Sequence, residues 1–348
     1  MDCDARRTNF GGVSSEDKSH PAKGLIAGER RFLRGNVSDE DGWQRSARQV
    51  PRAGRPPGAE AHGNTGRTAV GSLRAPPEPE PMTRYPALSP LHPAIPAADG
   101  LVLRGHLVYP HGRTGSRYPL AVMAHQYPTT RDSYAPLCAD LHAIGMATLA
   151  FDMRGQGEST WTPTGARVAP SPAEPTMEAF GAAFMASASA VGFPHIADDI
   201  VRMASWGLFQ NFIDPTRLLL VGSSVGGTGV LLAAPRLAGA LRAVVTFGAA
   251  GAGVHSPDAM DRIRANCQTL NIPVLLTSSE EDPFDGANNA RTWRNGLGHV
   301  AAEIVPGSEH AMAIYYQVRT RVLAFVKQAI PSAPRPRSRA AIKRATRR

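Results

Sequence analysis

The sequence lacks the features that mark several protein classes. Cysteine is scarce: Cys3, Cys138 and Cys267 are the three in 348 residues, odd in number and far apart. That excludes a disulfide framework and suits a reducing compartment. No stretch reaches the ~18 consecutive apolar residues of a membrane span, and the N-terminus, MDCDARRTNFGG, carries charges where a secretory signal needs an apolar core. A soluble, cytoplasmic protein is predicted, although a physiological start at Met82 would reopen the question of export. No grouping of His, Cys and carboxylates has metal-ligand spacing, so neither a metal nor another cofactor is expected. Internal repeats are also missing, which excludes solenoids and propellers.

Charge of one sign is missing from most of the chain as well. The net charge is +9, yet residues 83 to 330 are electrically balanced, and the last 18 residues, PSAPRPRSRAAIKRATRR, carry seven basic side chains and no acidic one. A nucleic-acid partner is therefore not expected of the body, which carries no recognisable reader of bases. Any contact with an anionic membrane is confined to this tail. Residues 1 to 82, rich in Gly, Pro, Arg and Ser, have too little apolar surface to offset the entropy of ordering them. Both extensions, 1–82 and 331–348, are predicted to be disordered.

Between them lies one domain, 83–330. LVLRGHLVY from Leu101 alternates apolar and polar residues, the pattern of a half-buried edge strand. From Pro119 the rhythm changes to short, continuous apolar runs: Leu120–Met123, Ala147–Phe151, Leu218–Val221, Ala243–Phe247, Val274–Leu276 and Val300–Val305. Runs apolar on both faces suit a parallel sheet covered by helices on both sides. Helical spacing appears between and after them, at Tyr134, Leu137, Cys138, Leu141 and Ile144, at Ile196, Ile200 and Met203, and at Tyr315, Val318, Val322, Phe325 and Val326. The predicted fold class is α/β, a doubly wound and mostly parallel sheet. Residues 160–194 break the alternation and are read as a small helical cap. Within it Phe180, Phe184 and Met185 suit either the lining of an apolar pocket or ordinary packing.

The chemistry gathers around LLLVGSSVGGTG, Leu218 to Gly229. An apolar run, the pentapeptide Gly222-Ser223-Ser224-Val225-Gly226 and a helix-compatible segment give a Gly-x-Ser-x-Gly motif in strand–turn–helix context. Ser224 is the candidate nucleophile, and Ser223 is its rival if the turn shifts by one residue. A serine hydroxyl needs a general base, usually a histidine held by a carboxylate. Asp282 follows the run at Val274–Leu276 in a loop that also holds Glu280, Glu281 and Asp285, and His310 follows the run at Val300–Val305. His299 precedes that last run and so belongs to the opposite sheet edge. Asp198 and Asp199 read as a helix's solvent face, and Asp152 and Arg154 as residues that tie down a turn.

From about 100 to 330 the chain resembles the α/β-hydrolases, nearest to their dienelactone-hydrolase-like and serine-esterase branches. The elbow at Ser224, the acid loop at Asp282 and the terminal His310 match in order. His125-Gln126-Tyr127-Pro128 stands at a His-Gly-x-Pro position, and Asp152 to Ser159 at an Asp-x-Arg-Gly-x-Gly-x-Ser turn. The resemblance implies a Ser224–His310–Asp282 triad, an oxyanion hole from the backbone N–H groups of Val225 and Tyr127, and a small ester-like substrate, with no cofactor. Gln126 departs from the usual glycine, which leaves its own N–H as an alternative to that of Tyr127. His125 is read as a structural bridge between loops. Two other classes stay open: a non-catalytic binding protein on a hydrolase scaffold, and a protein acting through its basic tail on nucleic acid or an anionic surface.

Overall fold

The structure, a computed structural model, describes residues 88–110 and 117–331. The extensions expected to be disordered, 1–82 and all of 331–348 except Pro331, lie outside them. Eleven strands occur among the described residues: β1 (Leu88–Leu91), β2 (Ala94–Pro96), β3 (Val102–Pro110), β4 (Tyr118–Ala124), β5 (Ala147–Phe151), β6 (Trp161–Thr162), β7 (Gly165–Ala166), β8 (Ile213–Ser223), β9 (Leu241–Phe247), β10 (Val274–Ser279) and β11 (Val300–Val305). Nine join one sheet in the order β1-β3-β5-β4-β8-β9-β10-β11, with β2 alongside β3, while β6 and β7 form a separate hairpin. From β5 to β11 every neighbouring pair is parallel.

β3 alternates as its sequence predicts, with Leu103 and Leu107 buried, but it is not an edge. It pairs antiparallel with β5 on one side and with β1 on the other. The edge strand β1 reads LSPL, too short and too proline-broken to announce itself.

The helices are α1 (Ala135–Ala143), α2 (Met177–Ser187), α3 (Ile196–Leu208), α4 (Val225–Ala233), α5 (Ala259–Thr269), α6 (Gly286–Arg294) and α7 (Tyr315–Ala329). Successive residues of one strand feed opposite faces of the sheet, because side chains alternate along a strand. Leu120, Val122 and Leu220 pack with Ile200 and Met203 of α3, Leu231 of α4 and Ile263 of α5. Ala121, Met123 and Val221 pack instead with Leu137 and Leu141 of α1 and Val318, Val322 and Phe325 of α7. Each fully buried Leu or Phe in these layers contributes about 1.5–3 kcal/mol relative to exposure. Helices α5 and α6 escape the sequence reading because their buried stripes are sparse: Ala259, Ile263 and Cys267 in one, Ala287, Ala290 and Trp293 in the other.

Parallel strands deliver all their carboxyl ends to one edge of the sheet. The residues after β4, β5, β8, β9, β10 and β11 meet there, and the segment 160–194 with α2 crosses above. By length and composition the helical stretch Met177–Leu208 would suit a membrane span, a property that counting consecutive apolar residues passes over. It has no charged residue from Ala179 to Pro194. It is not one rod, however, since Gly192 sits in the left-handed region at φ 76. Its second half, α3, carries Asp199 in a buried ion pair with Arg154.

Candidate active site

Ser224 is the single residue between the end of β8 and the start of α4. Its φ of 49 and ψ of −122 are a conformation that costs a non-glycine residue about 1–3 kcal/mol and persists only where the surroundings impose it. Here they do. The Ser224 N–H donates to Phe247 O at 2.9 Å, and its carbonyl accepts from Thr228 N at 3.1 Å and Ala250 N at 3.2 Å. The flanking glycines are sterically required. A Cβ at Gly222 would stand 2.4 Å from Gly226 O, and one at Gly226 would stand 2.2 Å from Ala124 O. Such crowding brings the loop after β4 directly against the elbow. Ser224 is partly exposed while its neighbours are buried. Val225, as first residue of α4, has an N–H without an intrahelical acceptor.

Ser223 faces the other way. Its buried hydroxyl donates to Gln126 Oε1 at 2.6 Å and stands 3.0 Å from the Tyr134 hydroxyl, which also lies 2.8 Å from Ala124 O. Burial pushes the Tyr134 phenol well above its ordinary pKa, so it stays a donor. Here the reason for Gln126 in a glycine position emerges: its amide reaches beneath the turn and ties the β4 loop to the elbow. His125 fixes the same loop from the other side. Its Nε2 accepts from Met153 N at 2.9 Å, so its Nδ1 carries the proton and donates to Gln126 O at 2.8 Å. Burial lowers the His125 pKa and keeps the ring neutral. Tyr127, next along, is buried, and its hydroxyl donates to Pro170 O.

Asp282 and His310 come from the loops after β10 and β11. His310 Nδ1 lies 2.9 and 2.8 Å from the two carboxylate oxygens of Asp282. The carboxylate also accepts from Phe284 N at 2.9 Å and Ser278 Oγ at 3.0 Å, so it is held on several sides. The other acids of that loop are engaged elsewhere or exposed: Glu280 binds Arg291, Asp285 accepts from Asn288, and Glu281 faces solvent. His310 Nε2 is buried and has no hydrogen-bond partner among the described residues. Gly248 stitches this pair to the elbow. It follows Phe247, whose carbonyl holds the Ser224 N–H, and a Cβ on it would lie 2.8 Å from Asp282 Oδ2 and 2.9 Å from His310 Nδ1. His299, by contrast, lies at the far end of β11 with Nε2 2.9 Å from Cys267 O.

Several residues differ from the sequence reading. Asp199 is not on a solvent face: it is 2% exposed and bonds Arg154 through both oxygens, at 2.7 and 3.0 Å. Helical spacing was the missed signal, since position 199 lies on the stripe of Ile196, Ile200 and Met203. Arg154 does more than tie down a turn, because it also donates to Val191 O at 2.7 Å and so reaches the segment above the sheet. Met185 points to solvent, one residue and hence about 100° around the helix from Phe184. Phe284 and Gly248 carried no recognisable sequence signal. Among the described residues no cluster of His, Cys, Asp and Glu could hold a metal ion.

No protein-family model and no curated protein matches the sequence. Solved structures do match in fold. A protein named as a dienelactone hydrolase of Klebsiella pneumoniae subsp. pneumoniae superposes with a TM-score of 0.53 at 20% identity, over 70% of this chain and 99% of that one. A protein named as a CIB-like hydrolase of Thermoplasma acidophilum gives 0.50 at 16%, over 70% and 100%. An acetyl xylan esterase of Paenibacillus sp. R4 gives 0.50 at 18%, over 70% and 86%. With a mostly parallel sheet in this strand order, a strained strand-to-helix turn at its centre and these structural relatives, the chain has the α/β-hydrolase fold.

Proposed function

We propose that the protein is a serine hydrolase that cleaves a carboxylic ester, or a related thioester, lactone or amide, through Ser224, His310 and Asp282. One observation carries the reading: a histidine whose Nδ1 is engaged by a buried carboxylate, and whose Nε2 has no partner among the described residues, stands one glycine away from a strained serine. Asp282 fixes the tautomer with the proton on Nδ1, which leaves the Nε2 lone pair to take the hydroxyl proton of Ser224. The Ser224 oxygen then attacks the carbonyl carbon. The negative oxygen that results is received by the N–H groups of Val225 and Tyr127, each such donor being worth roughly 10² to 10³ in rate. Collapse breaks the bond to the leaving alcohol, which departs with the proton held on His310. Water, deprotonated by the same Nε2, attacks the acyl-enzyme and frees Ser224. The hydrogen-bonded Ser223 hydroxyl has no part in these steps.

A fluorophosphonate probe tests the assignment. Wild type and Ser223→Ala are expected to be labelled and Ser224→Ala not, and labelling that survives Ser224→Ala refutes it.

A further inference from the structure

A chain of aromatic rings runs from Phe184, beside the elbow, to His310, and the backbone next to Ser224 joins its two ends. The segment Phe247–Gly251 runs past the serine, bonded to both its N–H and its carbonyl. At one end of that segment stands His310, against Gly248. At the other end, a Cβ on Gly251 would lie 2.9 Å from the Phe184 ring and 3.8 Å from Val225 Cβ, so the Phe184 ring rests on bare backbone beside the elbow. From Phe184 the chain of rings continues to Tyr127 with ring centroids 5.5 Å apart, from Tyr127 to Phe180 at 5.5 Å, and from Phe180 to Phe284 at 4.9 Å. It ends from Phe284 to the imidazole of His310 at 4.4 Å. Four chain segments contribute rings: the loop after β4, helix α2, the acid loop and the loop after β11.

The collar is neutral and incompletely filled. Phe180, Phe184 and Phe284 are each half-buried, so each ring keeps some surface that no neighbouring residue covers. None of these rings, nor Tyr127, carries a charge, and the Asp282 carboxylate beside Phe284 is committed to His310, Ser278 and the Phe284 N–H. Rings at 4.5 to 7 Å in tilted and edge-on arrangements are attracted to one another beyond the area they bury, and a further flat ring inserted among them gains the same attraction.

We propose that this collar is the acyl-group subsite, and that it selects uncharged esters whose acyl group bears an apolar aromatic ring one methylene from the carbonyl over short aliphatic or anionic acyl groups. The inference rests on the catalytic reading above and goes beyond it to the substrate class. Phe180 and Phe284 are the specificity-determining residues, since they join α2 to the acid loop across the site.

The test uses the full chain and three p-nitrophenyl esters with a common leaving group: the phenylacetate, the acetate and the hemisuccinate. Wild type is expected to show kcat/KM at least about tenfold higher for the phenylacetate than for the acetate, with the hemisuccinate lowest. The Phe180→Ala and Phe284→Ala variants are expected to lose most of that ratio through a raised KM for the phenylacetate, and Phe180→Leu to keep part of it. Because both esters are measured in one preparation, the ratio does not depend on how much of a variant is folded. No preference in wild type, or a preference unchanged in both alanine variants, overturns the proposal while fluorophosphonate labelling of Ser224 leaves the catalytic reading standing. A chain that takes no label and hydrolyses none of the esters fails that reading, and this one with it.

Discussion

The hydroxyl of Ser223 and the bare Cα of Gly248 act on the candidate nucleophile without any role in the chemistry. Ser223→Ala leaves Gln126 Oε1 without its donor in a buried place, while the Tyr134 hydroxyl keeps Ala124 O as its acceptor. The expected cost is about 1–3 kcal/mol of stability, read from urea unfolding. An unchanged midpoint denies that the network holds the loop. Gly248→Ala acts on the pair of Asp282 and His310 itself. Its φ of 52 already disfavours a side chain, and the new methyl group must displace Asp282 or His310. The expected outcome is a fall in kcat of roughly 10²-fold with KM little changed, since a misplacement of about 1 Å suffices for that. A rise in KM comparable to the fall in kcat would point to a wider collapse of the site. Of these residues the sequence announces only the glycines of the elbow and the order of Ser224, Asp282 and His310. Gly248 is invisible there because its requirement comes from side chains 34 and 62 positions further along the chain.

At the scale of elements, the buried pair of Arg154 and Asp199 joins the loop after β5 to α3. Removing one partner leaves a buried charge uncompensated, so Arg154→Met alone is expected to cost about 3–5 kcal/mol. The double variant Arg154→Met, Asp199→Leu is expected to recover much of that loss. A double-mutant cycle on thermal unfolding reads the coupling, and strict additivity contradicts it. Long, doubly apolar elements were legible in the sequence: β5 and β11 begin and end where their apolar runs do, and α7 carries its whole stripe of Tyr315, Val318, Val322 and Phe325. Elements whose burial depends on one or two small side chains were not, as in α5 and α6. A polar residue on an apolar stripe, Asp199, misled for a related reason: its partner is remote in sequence, and charge alone suggested solvent.

For the whole molecule, acid is the informative perturbation. His255 is 5% exposed, with Nε2 2.8 Å from Thr228 Oγ1 and 3.2 Å from Val225 O, and burial holds its pKa down to about 4. In the unfolded chain the ordinary value is about 6.5. Below that pH the unfolded state binds a proton that the folded state refuses. The contribution of this histidine to stability is therefore complete above pH ~6.5 and lost as pH falls toward ~4, by about 3 kcal/mol across the window. Burial lowers the pKa of His125 as well, with the same sign. The His255→Gln variant is expected to lose less melting temperature than wild type between pH 6.5 and 4, and parallel curves refute the assignment. The balanced composition of residues 83 to 330 gave no hint of this sensitivity, because it comes from where the neutral rings are buried and not from how many charges there are.

The hydrogen bonds at the two ends of the segment above the sheet set a rule for its length. Arg154 donates to Val191 O, and Gly155 O accepts from Ala169 N at 2.8 Å, so both ends of the stretch between Ala169 and Val191 hang from two adjacent residues. A loop hung from one point closes for nearly any number of residues, since doubling its length costs only about 0.6 kcal/mol of closure entropy. The stretch can therefore change length between its two ties without disturbing them. The exposed run from Ala173 to Thr176 is where an insertion meets no packed neighbour, so the sheet below stays as it is.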